Sequence, residues 1–212
     1  MSTTSKTVSS ISTGTFAGTE ESKHALATYI SDAIAIERSL SETLSRQEES
    51  DDVKRFPDAS RIAANARATA DTHISTLEAQ LDALGGHAAS PMKSAWSAVI
   101  GAGSAAVESV RKTKVSKNLR DDYSMLSLAS IGYEALHATA LALGADSIAQ
   151  LAIKHLDDYA KLIMEIGRSL PPIVLAELKD EELPVNESVA KQASENIRNA
   201  WSSQGIVSQT QT

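Results

Sequence analysis

Apolar residues recur every three or four positions through four long stretches of this chain, the period of helices that bury one face. The first stretch runs through Leu26, Ile30, Ala33, Glu37, Leu40 and Leu44. It predicts a helix opening near Thr19 to Ser22, where Thr19 can cap a first turn that carries Glu20 and Glu21. The run Glu48 to Asp52 with Phe56-Pro57 breaks this pattern. Asp58 or Ser60 then opens a second helix through Ile62, Ala66, Thr69, His73, Leu77, Leu81 and Leu84, which Gly85-Gly86 stops. Ser90-Pro91 reads as an N-cap with proline in the first turn of a shorter segment, 91–112, which carries Trp96, Val99, Val107 and Val110. Gly101 and Gly103 weaken its middle, so one broken helix or two short ones are expected to cross over the rest. The third long helix spans about Ser116 to Leu143 and ends at Gly144. The fourth starts at Asp146 as cap, continues through Ile148, Leu151, His155, Tyr159, Leu162 and Ile166, and stops at Ser169-Leu170-Pro171-Pro172.

Four helices of about 24–28 residues, each roughly 36–42 Å long, match in length and can pack side by side. The expected fold is therefore all-α, a four-helix bundle with a crossover helix between the second and third long helices and a short C-terminal helix. Residues 1–19 are more than half Ser and Thr and are expected to form a disordered tail. The bundle is assigned to 20–172. Residues 173–212 read as an acidic linker around Glu177 to Glu182, an amphipathic helix over 186–202, and a polar tail. On that last helix Val189, Ala193, Ile197, Ala200 and Trp201 share one face, which either docks on the bundle or meets a partner.

Composition narrows the chemistry. The chain has 212 residues, 42% hydrophobic but only 4% aromatic, and 33 alanines make most of its apolar content small and helix-forming. Such a chain is ill suited to a sandwich or barrel. Without cysteine there is no disulfide, thiolate metal site or thiol nucleophile, so any metal must use carboxylates or the five histidines. A net charge of −7 argues against nucleic-acid binding, and the basic cluster Arg111, Lys112, Lys114, Lys117 and Arg120 reads as a solvated helix end. Tyr123 to Leu143 is rich in Ser, Ala and Gly and carries Glu134 and His137, so it is expected as a buried helix and not a membrane span. Met1 to Thr19 contains no apolar core of a secretory signal, and a cytoplasmic protein is expected.

Charge inside the apolar stripes marks the candidate site. Glu134 is the only carboxylate between Asp122 and Asp146, and His137 follows it at i+3, so the two are expected on one buried helix face. Glu37 on the first helix, His73 on the second, and His155 with Asp157 and Asp158 on the fourth lie on or beside the seams. A buried carboxylate costs several kcal/mol unless a hydrogen bond, cation or metal offsets it. The candidate metal ligands are Glu37, His73, Glu134, His137 and Asp158, with His155 and Asp157 as further members. Singly, each has a plainer reading: His73 and His155 as hydrogen-bonded core histidines, Glu37 paired with Arg38 or Arg67, and Asp157 and Asp158 solvated.

Several of these residues stand in a recognisable arrangement. Asp32-Ala-Ile-Ala-Ile-Glu37 followed by Leu40, Leu77-Glu78 before Leu84-Gly85, Met92 at the start of the crossover, Tyr133-Glu134, and Leu156-Asp157-Asp158 together resemble the YciE/YciF-type branch of the ferritin-like proteins. The likeness covers about 25–170. It implies a ferritin-like bundle associated with stress response, in which glutamates of the first and third helices and acid or histidine ligands of the second and fourth bind two iron or manganese ions. Glu37 and Glu134 match that pattern. The second helix departs from it, with Thr69 and Ala70 where an acid is expected, and so does the fourth, with Lys161 three residues beyond Asp158.

Two functions remain open at this level. In one, a dimetal centre oxidises ferrous iron or consumes peroxide. In the other, the bundle has a degenerate metal site, Glu37 and Glu134 are held by hydrogen bonds from His73, His155 or Tyr133 in a network that fixes helix register, and the chain serves as a structural or partner-binding protein, expected as a homo-oligomer and most simply a dimer. The second makes it no enzyme.

Overall fold

The computed structural model describes residues 16–85, 114–186 and 188–203. They form six helices: α1 Glu20–Glu49, the single turn α2 Asp51–Lys54, α3 Pro57–Ala83, α4 Val115–Ala142, α5 Asp146–Asp180 and α6 Val189–Ser203. The expected tail up to residue 15, the crossover segment 91–112 and the tail from 204 lie outside the described residues.

The four long helices pack as a bundle in which α1 lies between α3 and α4, and α5 lies between the same two on the other side. Cross-helix pairs give their directions. Arg38 meets Glu78 while Glu48 meets Arg67, so α1 and α3 are antiparallel. Gln47 meets Asp122 and Glu37 meets Tyr133, so α1 and α4 are antiparallel as well. α3 and α4 therefore run parallel. The end of α3 and the start of α4 lie at opposite ends of the bundle, about 35 Å apart at 1.5 Å of rise per residue.

The core is made of the seams predicted for α1, α3 and α5 together with a stripe of α4 for which only the helix bounds were predicted. Leu26, Ile30, Leu40 and Leu44 of α1, Ile62, Leu77 and Leu81 of α3, Leu119, Leu126 and Leu136 of α4, and Ile148, Leu151 and Ile166 of α5 are all buried. The helix ends follow local chemistry. Thr19 accepts a hydrogen bond from the Ser22 amide at 3.3 Å, as expected of an N-cap. Gly144, at φ +73°, closes α4 in a Schellman turn: its amide donates to the Leu141 carbonyl and the Ala145 amide donates to that of Ala140. Asp146 is the first residue of α5 and supplies no side-chain cap, contrary to expectation, because Ala145 occupies the cap position.

The larger correction is at the end of the fourth long helix. Pro171 and Pro172 do not stop α5, which continues to Asp180. Each proline removes one helical amide hydrogen bond. What carries the helix past them is cover and charge on the next two turns. Pro171 and Ile173 are buried, and Glu177 reaches the start of α4, where Lys114 provides no side-chain cap. Its carboxylate accepts from the Ser116 amide at 3.0 Å and from the Ser116 hydroxyl at 2.5 Å, doing the work of an N-cap and facing the positive end of the α4 dipole. Asp180 pairs with Arg55 at 2.6 Å and Glu181 with Lys114 at 2.7 Å. The expected acidic linker is therefore mostly the last turn of a helix whose acids are in use. Glu182 ends it in the left-handed region at φ 59°.

Beyond it, α6 rests against α5. Val189 and Ala193 are half-buried, but Ile197 and Trp201 stay exposed, so the apolar face of this helix is only partly covered. Among the described residues, no helix is long and apolar enough to cross a membrane.

Candidate functional site

Midway along the bundle, every long helix sends polar or aromatic groups into the core at one level. Glu37 comes from α1, His73 from α3, Tyr133 from α4, and His155 with Tyr159 from α5, and all five are buried. Each helix also carries a buried alanine one turn before its residue: Ala33, Ala70, Ala129 and Ala152. Small side chains there leave volume for four rings and a carboxylate in a core that elsewhere holds leucine and isoleucine.

Glu37 is fully inaccessible and is the centre of the network. Tyr133 donates its hydroxyl to one carboxylate oxygen, Oε1, and Tyr159 donates to the other, Oε2. His73 Nδ1 lies 3.1 Å from Oε1 and supplies a third hydrogen bond. Three donors offset the desolvation of a carboxylate that would otherwise cost several kcal/mol. Burial, followed by the neighbouring Glu37 charge, pushes both phenols far above the usual tyrosine range, so both stay protonated and act as donors.

The two imidazoles stack, with ring centroids 3.7 Å apart and planes within 11°. Burial first, then the His73 and Lys154 charges, drives His155 down to about 2, which makes it neutral. The Thr76 hydroxyl donates to the His73 carbonyl at 3.0 Å, so its oxygen is free to accept from His155 Nε2 at 3.1 Å. That assigns the proton of His155 to Nε2. His155 Nδ1 and His73 Nε2 make no hydrogen bond. The latter faces Asp158 Oδ2 at 3.6 Å, on the partly exposed rim of the cluster. Desolvation raises Asp158, but the hydrogen bond and charge of Lys154, 2.7 Å away, together with His73, hold it below the usual aspartate range.

The structure thus gathers Glu37, His73 and His155, with Asp158 at the edge. It does not gather the rest of the predicted set. Glu134 is exposed, one position away from the inward face that Tyr133 occupies, which corrects the expectation that it shares a buried face with His137. His137 donates Nδ1–H to the Ala149 carbonyl at 2.8 Å, tying α4 to the first turns of α5. Asp157 is exposed and pairs with Lys161 at 2.6 Å. Thr76 is the member that sequence reasoning missed; Tyr133 had been read as one of three alternative hydrogen-bond donors to the glutamates and not as the inward seam position of its helix, and Tyr159 only as an apolar seam position. A signal existed: stepping Leu126, Ala129, Tyr133, Leu136, Ala140 in threes and fours puts Tyr133, and not Glu134, on the seam.

The donor set does not fit the two iron or manganese ions that the sequence resemblance implies. Both oxygens of Glu37 are occupied by phenol protons, the second bridging acid points to solvent, and Ala70 offers no ligand. Among the described residues, no group of three or more His, Asp or Glu side chains is arranged to hold a metal ion.

No protein-family model and no curated protein matches the chain. Its architecture is that of an all-helical bundle. A solved structure with the same fold is the crystal structure of protein XCC3681 from Xanthomonas campestris pv. campestris, at 18% identity and a TM-score of 0.64, covering 77% of this chain and 99% of that one.

Proposed function

We propose that this is a ferritin-like, stress-associated bundle that acts as a structural or partner-binding protein, most simply as a cytoplasmic homodimer, with its dimetal position closed by a hydrogen-bonded network. The observation that carries this reading is the state of Glu37. A carboxylate that already accepts from Tyr133, Tyr159 and His73 has both oxygens engaged and three of its roughly four lone-pair sites filled. The network instead ties together α1, α3, α4 and α5 at one level and selects their register. The partly uncovered face of α6, with Ile197 and Trp201 exposed, is the surface this reading assigns to the partner.

Metal analysis of the full chain purified without chelator, combined with sizing of a form lacking residues 184–212, tests it. Far less than one ion per chain, and a complex that falls apart on truncation, are expected. Near-stoichiometric iron or manganese, lost in Glu37→Gln, would instead support the metal-binding reading with oxidase or peroxide-consuming activity. One observation favours that second reading: neither His73 Nε2, which faces Asp158 Oδ2 at 3.6 Å, nor His155 Nδ1 makes a hydrogen bond.

A further inference from the structure

The network that ties the helices together also places two oxidisable rings on one base. Two tyrosines on different helices share the Glu37 carboxylate, each donating to its own oxygen. Their rings lie 6.0 Å apart, and His73 packs against both, at 5.7 Å from Tyr133 and 4.8 Å from Tyr159. All of these groups are buried.

From this geometry we infer that Tyr133 and Tyr159 form a redox site, a sink for one-electron oxidants, with Glu37 as the proton acceptor. A phenol is hard to oxidise while it keeps its proton, because the radical cation is strongly acidic. A carboxylate already hydrogen-bonded to the hydroxyl removes that obstacle. The step balances as follows: one electron leaves the phenol for an external one-electron oxidant, such as a high-potential metal complex or an oxygen-centred radical. The phenolic proton passes to Glu37 Oε2 when Tyr159 reacts, or to Oε1 when Tyr133 reacts. The products are a neutral tyrosyl radical, a protonated Glu37 and the reduced oxidant. The new carboxylic acid proton hydrogen-bonds back to the phenoxyl oxygen, and the second phenol still donates to the other carboxylate oxygen. An electron donor such as ascorbate reverses the process.

Two further facts favour this site as the place where oxidation settles. The chain has no cysteine, the side chain that would otherwise intercept a radical most readily. Of its four tyrosines, Tyr29 is exposed and Tyr123 half-buried, and neither donates to a carboxylate, whereas Tyr133 and Tyr159 are enclosed by the core, away from quenching collisions.

The test uses the full metal-free chain, mixed with hexachloroiridate(IV), frozen and examined by electron paramagnetic resonance. A tyrosyl signal is expected in the wild type and in Tyr29→Phe/Tyr123→Phe, and its removal by ascorbate is expected. In Tyr133→Phe/Tyr159→Phe the signal should be lost. Glu37→Gln keeps the shape of the side chain but not the base, and should slow iridium reduction by about a hundredfold, the scale of general-base assistance. Should Glu37→Gln fail to fold by circular dichroism, the wild-type rate in heavy water decides: a slower reaction is expected, because the proton moves with the electron. A signal that survives loss of both buried tyrosines, one that disappears with Tyr29 and Tyr123, or a rate unchanged in heavy water would each overturn the proposal.

Discussion

Among the described residues, Glu37 and Asp122 are the carboxylates with the least exposure, and they are held in opposite ways. Glu37, at mid-height, accepts three hydrogen bonds from three other helices. Asp122, near the start of α4, accepts one, from Gln47 Nε2 at 2.7 Å, and its Oδ2 has no partner. Both are essentially inaccessible. Desolvation, only partly opposed by Gln47 and reinforced by the Asp121 charge, pushes Asp122 up to about 7. The difference teaches that burial does not by itself decide what a carboxylate does. The number and direction of its donors do, and here they are concentrated at one level of the core.

The contrast can be broken from either side. The largest effect is expected from Glu37→Ala, which leaves two phenols and an imidazole without their acceptor and opens a cavity. Chemical denaturation should show a loss of about 3–5 kcal/mol, and a loss below 1 kcal/mol would mean that the network contributes little. Asp122→Asn should act in the other direction. Between the ordinary aspartate range and about pH 7 the folded state holds a proton that the unfolded chain has released, so wild-type stability falls as pH rises through that window. The asparagine variant does not titrate, and should exceed the wild type by roughly 2–4 kcal/mol at pH 8, an advantage that shrinks toward pH 4. Equal stability of the two proteins at pH 8 would show that Asp122 ionises freely.

Tyr159→Phe removes one charge-assisted hydrogen bond while keeping the ring, and should cost about 2 kcal/mol. The same substitution at Tyr123, which is half-buried, should cost much less, which separates the network from general packing. Glu134→Ala is expected to change stability by no more than about 0.5 kcal/mol, as for an exposed helix position. A loss of several kcal/mol there would move the site back to where the sequence first placed it.

Most of the bundle was legible in the amino-acid order, because helix formation here follows from a repeating seam, small residues and local stop signals. The spacing of Leu26, Ile30, Ala33, Glu37, Leu40 and Leu44 marks α1, and Gly85 and Gly144, both in the left-handed region, mark the ends of α3 and α4. The end of α5 was not legible. Proline is a local signal for a stop, whereas what overrides it is Glu177 capping a different helix across the bundle. The candidate site was half legible for the same reason. Glu37 and His73 stand out as polar residues on a seam, but whether Tyr133 or Glu134 faces inward is a matter of one step in rotation, about 100° around the helix.

By itself, then, the order of residues determined an all-helical chain, its four long amphipathic segments, the absence of cysteine chemistry, and the presence of a glutamate inside an apolar stripe. Only the tertiary structure decided what that glutamate meets. Periodicity records which face of a helix is buried, but the partner of a buried group comes from another helix up to 122 positions away in sequence, as Tyr159 does for Glu37. Hydrogen bonds across a core depend on register and rotation between helices, and those are settled by the packing of all four together.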